Sequence, residues 1–370
     1  MVDQERLVRS FLEFVSIDSE SCNEKRFGEI MLQKLQALGF ETYMDGKGAE
    51  FGSNYGNIIA RLPGIKNVEP VLFSCHLDTV SPGKNIKPVV KDGIIYSDGS
   101  TILGADDKGG IAAILEAIRV IQDENIPHGD VELVFSFMEE KGLNGAKSLD
   151  YGLLKSKLVY TLDEGAVGRI VVQGPAQDKI DVRVLGKAAH AGVAPEEGIS
   201  AILVAAKALS QMKLLRVDAD TTANFGSIHG GGETNIVPSE VVLKGEARSL
   251  VDEKLTAQTQ HMLDCFEQAA AEFGTTVEIK HERMYPAFKV EKDDSIVLRA
   301  QNALQAIGIE SVVAKTGGGS DTNIYNSKGL KAVTLGSGEM KAHTLEEHVH
   351  IVDLVNLSRL VIALIQEYVK

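Results

Sequence analysis

The chain has 370 residues, 44% hydrophobic and 24% charged, enough for two domains with separate cores. A formal net charge of −14 and the lack of a dense Lys/Arg block argue against a nucleic-acid partner. No run approaches the roughly 20 continuous apolar residues of a membrane span, so no membrane partner is expected.

Residues 2–16 mix acids with apolar residues at helical spacing, which reads as an amphipathic helix and not a signal peptide. A second helix is predicted over 23–38, closed at Leu38-Gly39. Strands are predicted at 41–44 and 57–62. PVLFSCHLDTV (70–80) is almost continuously apolar, as a strand buried on both faces requires. SDGSTILGADDKGG (97–110) is a Gly-, Asp- and Ser-rich loop running into a buried helix over 108–122. DVELVFSF (130–137) and KLVYTL (157–162) read as further central strands, followed by Glu139-Glu140 and Asp163-Glu164. The repeated pattern is an apolar strand, then acids or His at its C-terminal end. In open α/β sheets that edge is where sites are built.

The character changes near Gly174-Pro175. Strand 178–186, helix 198–212, strands 221–229 and 234–250, helix 252–273 and strand 275–282 follow in the order βαββαβ. That order is a split-βαβ, ferredoxin-like α+β sandwich. After Lys289 come helix 294–307, a short strand 311–314, the loop TGGGSDTN, helix 321–326, strand 331–335 and a C-terminal helix over 346–369. The expected fold class is therefore α/β, with a discontinuous first domain (1–175 and 289–370) built on a mixed sheet flanked by helices. An α+β domain (176–288) is inserted into it. Cys22, Cys75 and Cys265 are far apart and form no CxxC pair, which points to a reducing cytoplasm.

The chemistry gathers at a few of these ends. His76 and Asp78, two apart, project to one side of a strand end, a spacing that suits a metal-bound imidazole held by a carboxylate. Asp106 and Asp107 adjoin the start of a helix, where backbone N–H groups favour negative charge. Glu139 and Glu140 end a buried strand, so one can hold a metal while the other faces substrate as a general base. Asp163 ends the next strand, and His343, His348 and His350 come late. His348 reads as the start of the C-terminal helix, whereas His343 lies in a loop after a strand, which favours His343. Carboxylates between two imidazole-bearing segments are what a two-metal hydrolytic site requires.

HLDTV, GADDKGG, MEEKG, TLDEG and the late His343 resemble the co-catalytic zinc peptidases. That family includes peptidase T, carboxypeptidase G, aminoacylase and succinyl-diaminopimelate desuccinylase. SDGSTILGADDKGG followed by TLDEGAVG looks most like the peptidase T-type tripeptidases, and AHTLEEHVHI resembles the wider family. The resemblance spans essentially the whole chain. It implies two Zn2+ per subunit, with Mn2+ or Co2+ as substitutes. Asp106 would bridge them, Glu140 and His343 would complete one metal, and His76 and Asp163 the other. A zinc-bridging hydroxide would attack the amide, with Glu139 as general base and Asp78 behind His76. The Asp106–Asp107 peptide would be cis. The inserted domain would be a lid and the surface of a homodimer. His190 (KAAHAGVAPEEG) would reach the scissile carbonyl, and Asn235 (ETNIVP) and Arg248 (GEARS) would hold substrate. Gly318 and Gly319 would line the pocket.

The first reading is an aminopeptidase releasing the N-terminal residue of tripeptides. A carboxypeptidase or an N-acyl-amino-acid deacylase uses the same scaffold and remains open at this stage. A non-catalytic binding protein fits poorly with a full ligand set. A nucleotide-binding dehydrogenase fails because GADDKGG lacks the G-x-G-x-x-G spacing.

Overall fold

The computed structural model describes residues 1–370. Helices α1 (Gln4–Val15) and α2 (Lys25–Ala37) precede β1 (Glu41–Met44), β2 (Ile58–Leu62) and β3 (Val71–His76). A hairpin of β4 (Val89–Lys91) and β5 (Ile94–Tyr96) leads to α3 (Ala105–Asp123), β6 (Val131–Ser136), α4 (Asn144–Ser148), β7 (Leu158–Leu162) and β8 (Arg169–Gly174). Next come β9 (Ala176–Leu185), α5 (Ala201–Gln211), β10 (Leu215–Arg216), β11 (Thr221–Gly230), β12 (Glu240–Ser249), α6 (Asp252–Glu272) and β13 (Val277–Tyr285). The chain closes with β14 (Phe288–Lys289), α7 (Ser295–Ala306), β15 (Val312–Lys315), α8 (Asp321–Ser327), β16 (Lys331–Leu335), β17 (Glu339–Met340), β18 (His348–His350) and α9 (Ile351–Glu367). Two compact units result: residues 1–173, 289–315 and 320–370 form one, and residues 174–288 with 316–319 the other.

The first unit is built on a mixed sheet in the order β1-β2-β6-β3-β7-β16-β8-β14, with β15 beside β8. Its central strands β6, β3, β7 and β16 run parallel, so their C-terminal ends share one edge. Every residue of β3, β6 and β7 is buried, which is why these strands read as unbroken apolar runs. Helix α3 packs against α1 and α9. Its buried Glu116 is satisfied by the Arg6 fork, with Nε at 2.7 Å and Nη2 at 2.8 Å. At Gly110 a Cβ would lie 2.8 Å from Cys75 Sγ and 3.1 Å from the Leu162 carbonyl oxygen. Glycine there lets the start of α3 sit against the ends of β3 and β7.

The second unit is a five-stranded antiparallel sheet, β10-β11-β12-β9-β13, with α5 and α6; the two-residue β10 adds one strand to the expected βαββαβ order. Strand β9 alternates buried and exposed positions, and Ile180, Val182, Val184, Leu243, Met262 and Phe266 join one core.

Several elements differ from the sequence reading. The strand expected from 234 begins at Glu240, because Pro238 cannot donate to a ladder and residues before it turn back onto the 187–191 loop. The 70–80 strand stops at His76. The C-terminal helix starts at Ile351, since His348–His350 pairs with β5 in a small sheet, β17-β18-β5-β4, whose strands are only two or three residues long. His348 thus lies on a strand rather than at a helix start.

Candidate metal centre

The shared edge collects side chains from each central strand. His76 ends β3, Glu139 and Glu140 follow β6, Asp163 follows β7, and His343 lies beyond β16, in the loop between β17 and β18. Asp106 comes from the entry of α3, where Asp106 and Asp107 depart from helical angles and the peptide between them is cis. The Asp107 carboxylate accepts the His76 backbone N–H at 3.1 Å, tying α3 to the end of β3.

The two oxygens of Asp106 face different imidazoles: Oδ1 lies 2.9 Å from His76 Nε2 and Oδ2 3.2 Å from His343 Nε2. His343 Nε2 also lies 2.8 Å from Glu140 Oε1. The ligand atoms of His76, Asp106 and Glu140 lie within 4.8 Å of one another. His76 Nδ1–H donates to the Asp78 carbonyl at 2.9 Å, which leaves Nε2 as the free ligand nitrogen. The Asp78 carboxylate is at 3.5 Å from His76 Nδ1. It accepts instead from the N–H groups of Glu139 and Glu140, at 2.9 and 3.3 Å, and from Ser21 Oγ at 2.6 Å. Glu24 accepts the preceding N–H, of Met138, at 3.2 Å. Met138 has φ +47°, so two buried carboxylates hold the left-handed turn that carries Glu139 and Glu140.

Burial alone would raise the Asp106 pKa, but His343 and His76 hold it well below the usual carboxylate range. Asp106 and Glu140 in turn push His343 up to about 10. Burial drives Glu139 and Asp163 well above the ordinary range; His76 opposes this, while Glu140 adds to it at Glu139 and Asp106 at Asp163. Glu140 is raised by burial against the pull of His343. These acids are countered by the two imidazoles, a charge deficit that divalent cations would fill. Mixed imidazole and carboxylate donors suit zinc, and admit manganese or cobalt.

The remaining candidate residues belong to the second unit. His190 and Asn235 are both exposed, on neighbouring segments joined by a His190–Ile236 bridge and by the Ala191 N–H donating to the Asn235 carbonyl at 2.9 Å. Arg248 donates from Nε and Nη2 to Glu246, at 3.0 and 3.1 Å, and from Nη1 to the Gly317 carbonyl at 3.4 Å. Gly318 and Gly319 fall in the 316–319 segment, which groups with this unit and not with the sheet that precedes it. At Gly319 a Cβ would run into the Tyr285 ring, so glycine there serves close packing.

Sequence reasoning missed the supporting acids Glu24, Asp321 and Glu347. Asp321 accepts from Ser136 Oγ at 2.5 Å, and Glu347 is buried among backbone N–H groups. The alternation His348-Val349-His350 was the available signal that Glu347 precedes a strand and not a helix.

Imidazoles and carboxylates gathered at the C-terminal edge of parallel strands define a metallohydrolase of the α/β class. Residues 72–367 match peptidase family M20/M25/M40, and the chain belongs to that family. It is 45% identical to the YqjE protein of Bacillus subtilis (strain 168), covering all of both chains. The aminopeptidase PepT structure from Bacillus cereus ATCC 10987 superposes with a TM-score of 0.91 at 44% identity, each chain fully covered. A tripeptidase structure from Staphylococcus aureus subsp. aureus Mu50 gives 0.96 at 42% identity, again over both full chains.

Proposed function

We propose that the protein is a metal-dependent aminopeptidase that releases the N-terminal residue of short peptides, tripeptides foremost. The observation that carries this reading is Asp106, whose two oxygens each face a different imidazole, as a carboxylate shared by two cations would. Full-length likeness to an aminopeptidase and a tripeptidase supports the substrate class. We assign His76 and Asp163 to one zinc and Glu140 and His343 to the other. Bound there, the cations would supply Lewis acidity toward water and the scissile carbonyl. Glu139 takes the attacking water's proton on its carboxylate and returns it to the leaving amine. A carboxylate raised by burial suits both halves of that transfer.

The proposal extends to a second unit that acts as a ferredoxin-like lid and pairs two subunits. It would present His190, Asn235, Arg248, Gly318 and Gly319 to the substrate, with His190 donating to the carbonyl oxygen. Three free cysteines favour the cytoplasm, and no helix is long and apolar enough to cross a membrane. The test compares Ala-Ala-Ala with its N-acetylated form on zinc-loaded protein. Cleavage that requires the free amine and stops on chelation is expected. Preference for the acetylated peptide would make the enzyme a deacylase or carboxypeptidase instead.

A further inference from the structure

Glu347 is 1% exposed and accepts three backbone hydrogen bonds. Its Oε2 takes the N–H groups of Leu103 and Gly104, each at 2.8 Å, and its Oε1 takes that of Asp106 at 3.1 Å. These donors flank Ala105 at the entry of α3, where Gly104 has φ +73°. One carboxylate therefore fixes the main chain that carries Asp106. Such bonds to an ionised acceptor are shorter and stronger than neutral ones.

The same side chain grows from the loop that carries His343. The Glu347 N–H donates to the Thr344 carbonyl at 3.1 Å, and Thr344 Oγ1 donates to the Lys341 carbonyl at 2.7 Å. Inside this tight loop His343 has φ +65°. Two segments distant in sequence are thus pinned to each other just behind the place where Asp106 Oδ2 and His343 Nε2 stand 3.2 Å apart.

We infer that Glu347 is a positioning residue of the metal site: it sets the spacing between Asp106 and His343, and through it the affinity for the cation they share. The inference rests on the reading of those two residues as ligands. A role in fold stability alone would lower the melting temperature of metal-stripped protein and leave zinc affinity untouched. Positioning acts on the affinity itself, because a partner behind a ligand is typically worth 10–100-fold.

The experiment measures zinc affinity of the full chain by competition with a chromophoric chelator, beside thermal melts of the stripped protein. Glu347→Gln replaces one acceptor oxygen by an NH2 that faces an N–H group, and a 10–100-fold loss of zinc affinity is expected. Glu347→Asp keeps the charge but is one methylene short, and an intermediate loss is expected. Wild-type affinity in folded Glu347→Gln overturns the inference. If Glu347→Gln does not fold, wild-type affinity in Glu347→Asp overturns it equally. A wild-type protein that binds no zinc defeats the proposed function, whereas tight binding by wild type and variants alike defeats only the role of Glu347.

Discussion

At residue scale the division of labour between two adjacent acids decides the chemistry. Glu140 faces His343 at 2.8 Å and is assigned with it to one cation, while Glu139 is assigned as the general base. Glu139→Gln should therefore keep its metal and lose about 10²–10⁴-fold in kcat, since an amide cannot accept the water's proton. Metal analysis beside single-substrate kinetics checks this, and metal lost in step with activity would make Glu139 a ligand. Asp321 offers a second test outside the ligand set, with His76 and Asp78 among the groups acting on it. Burial pushes its pKa up to about 6, with Ser136 Oγ opposing. Its folded-state pKa lies above the unfolded value, so between about pH 4 and pH 6 the folded state holds the extra proton and stability falls as pH rises. Above that window the penalty is complete. Asp321→Asn, which still accepts from Ser136, should gain stability relative to wild type near pH 8 and not near pH 4, read from urea melts at each pH.

Elements were legible where one physical signal governed them. The runs in β3, β6 and β7 follow from burial on both faces, and the alternation of β9 follows from burial on one. What stayed hidden depends on partners distant in sequence. Arg6 and Glu116 lie 110 positions apart, yet Arg6 closes α1 onto α3. Arg6→Met leaves the buried Glu116 with only the Asp3 N–H, at 2.9 Å, as an acceptor's partner in this group. A loss of about 1–3 kcal/mol is expected in denaturant unfolding, moderated by the partial exposure of Arg6. Pairing it with Glu116→Gln should recover part of that loss, because the stranded charge is gone. The short strands β17 and β18 were missed for the same reason as Glu347. The pairing of β17 with β18 and of β18 with β5 supplies a stability that so few residues cannot signal locally.

For the whole molecule, the sequence marked the insertion through a change of periodicity, and the candidate site was read from acids and His at successive strand ends. The sequence did not mark the grouping of residues 316–319 with the second unit, since a run of glycines carries no pattern that reveals its neighbours. The division has a thermodynamic consequence. Every candidate ligand belongs to the first unit, while the second has its own core around Val182, Leu243 and Phe266. A ligand stabilises only the cooperative unit whose folding creates its site, by about 2.7 kcal/mol when free metal is 100-fold above its Kd. Calorimetry should therefore resolve two transitions. Removing metal with a chelator should lower the one assigned to the first unit and leave the other in place, and Asp106→Ala should reproduce that shift without chelator. The assignment is checked by a core substitution, Phe266→Ala, which should move only the second transition. If chelation lowers both transitions together, the two units unfold as one and the site stabilises the molecule as a whole.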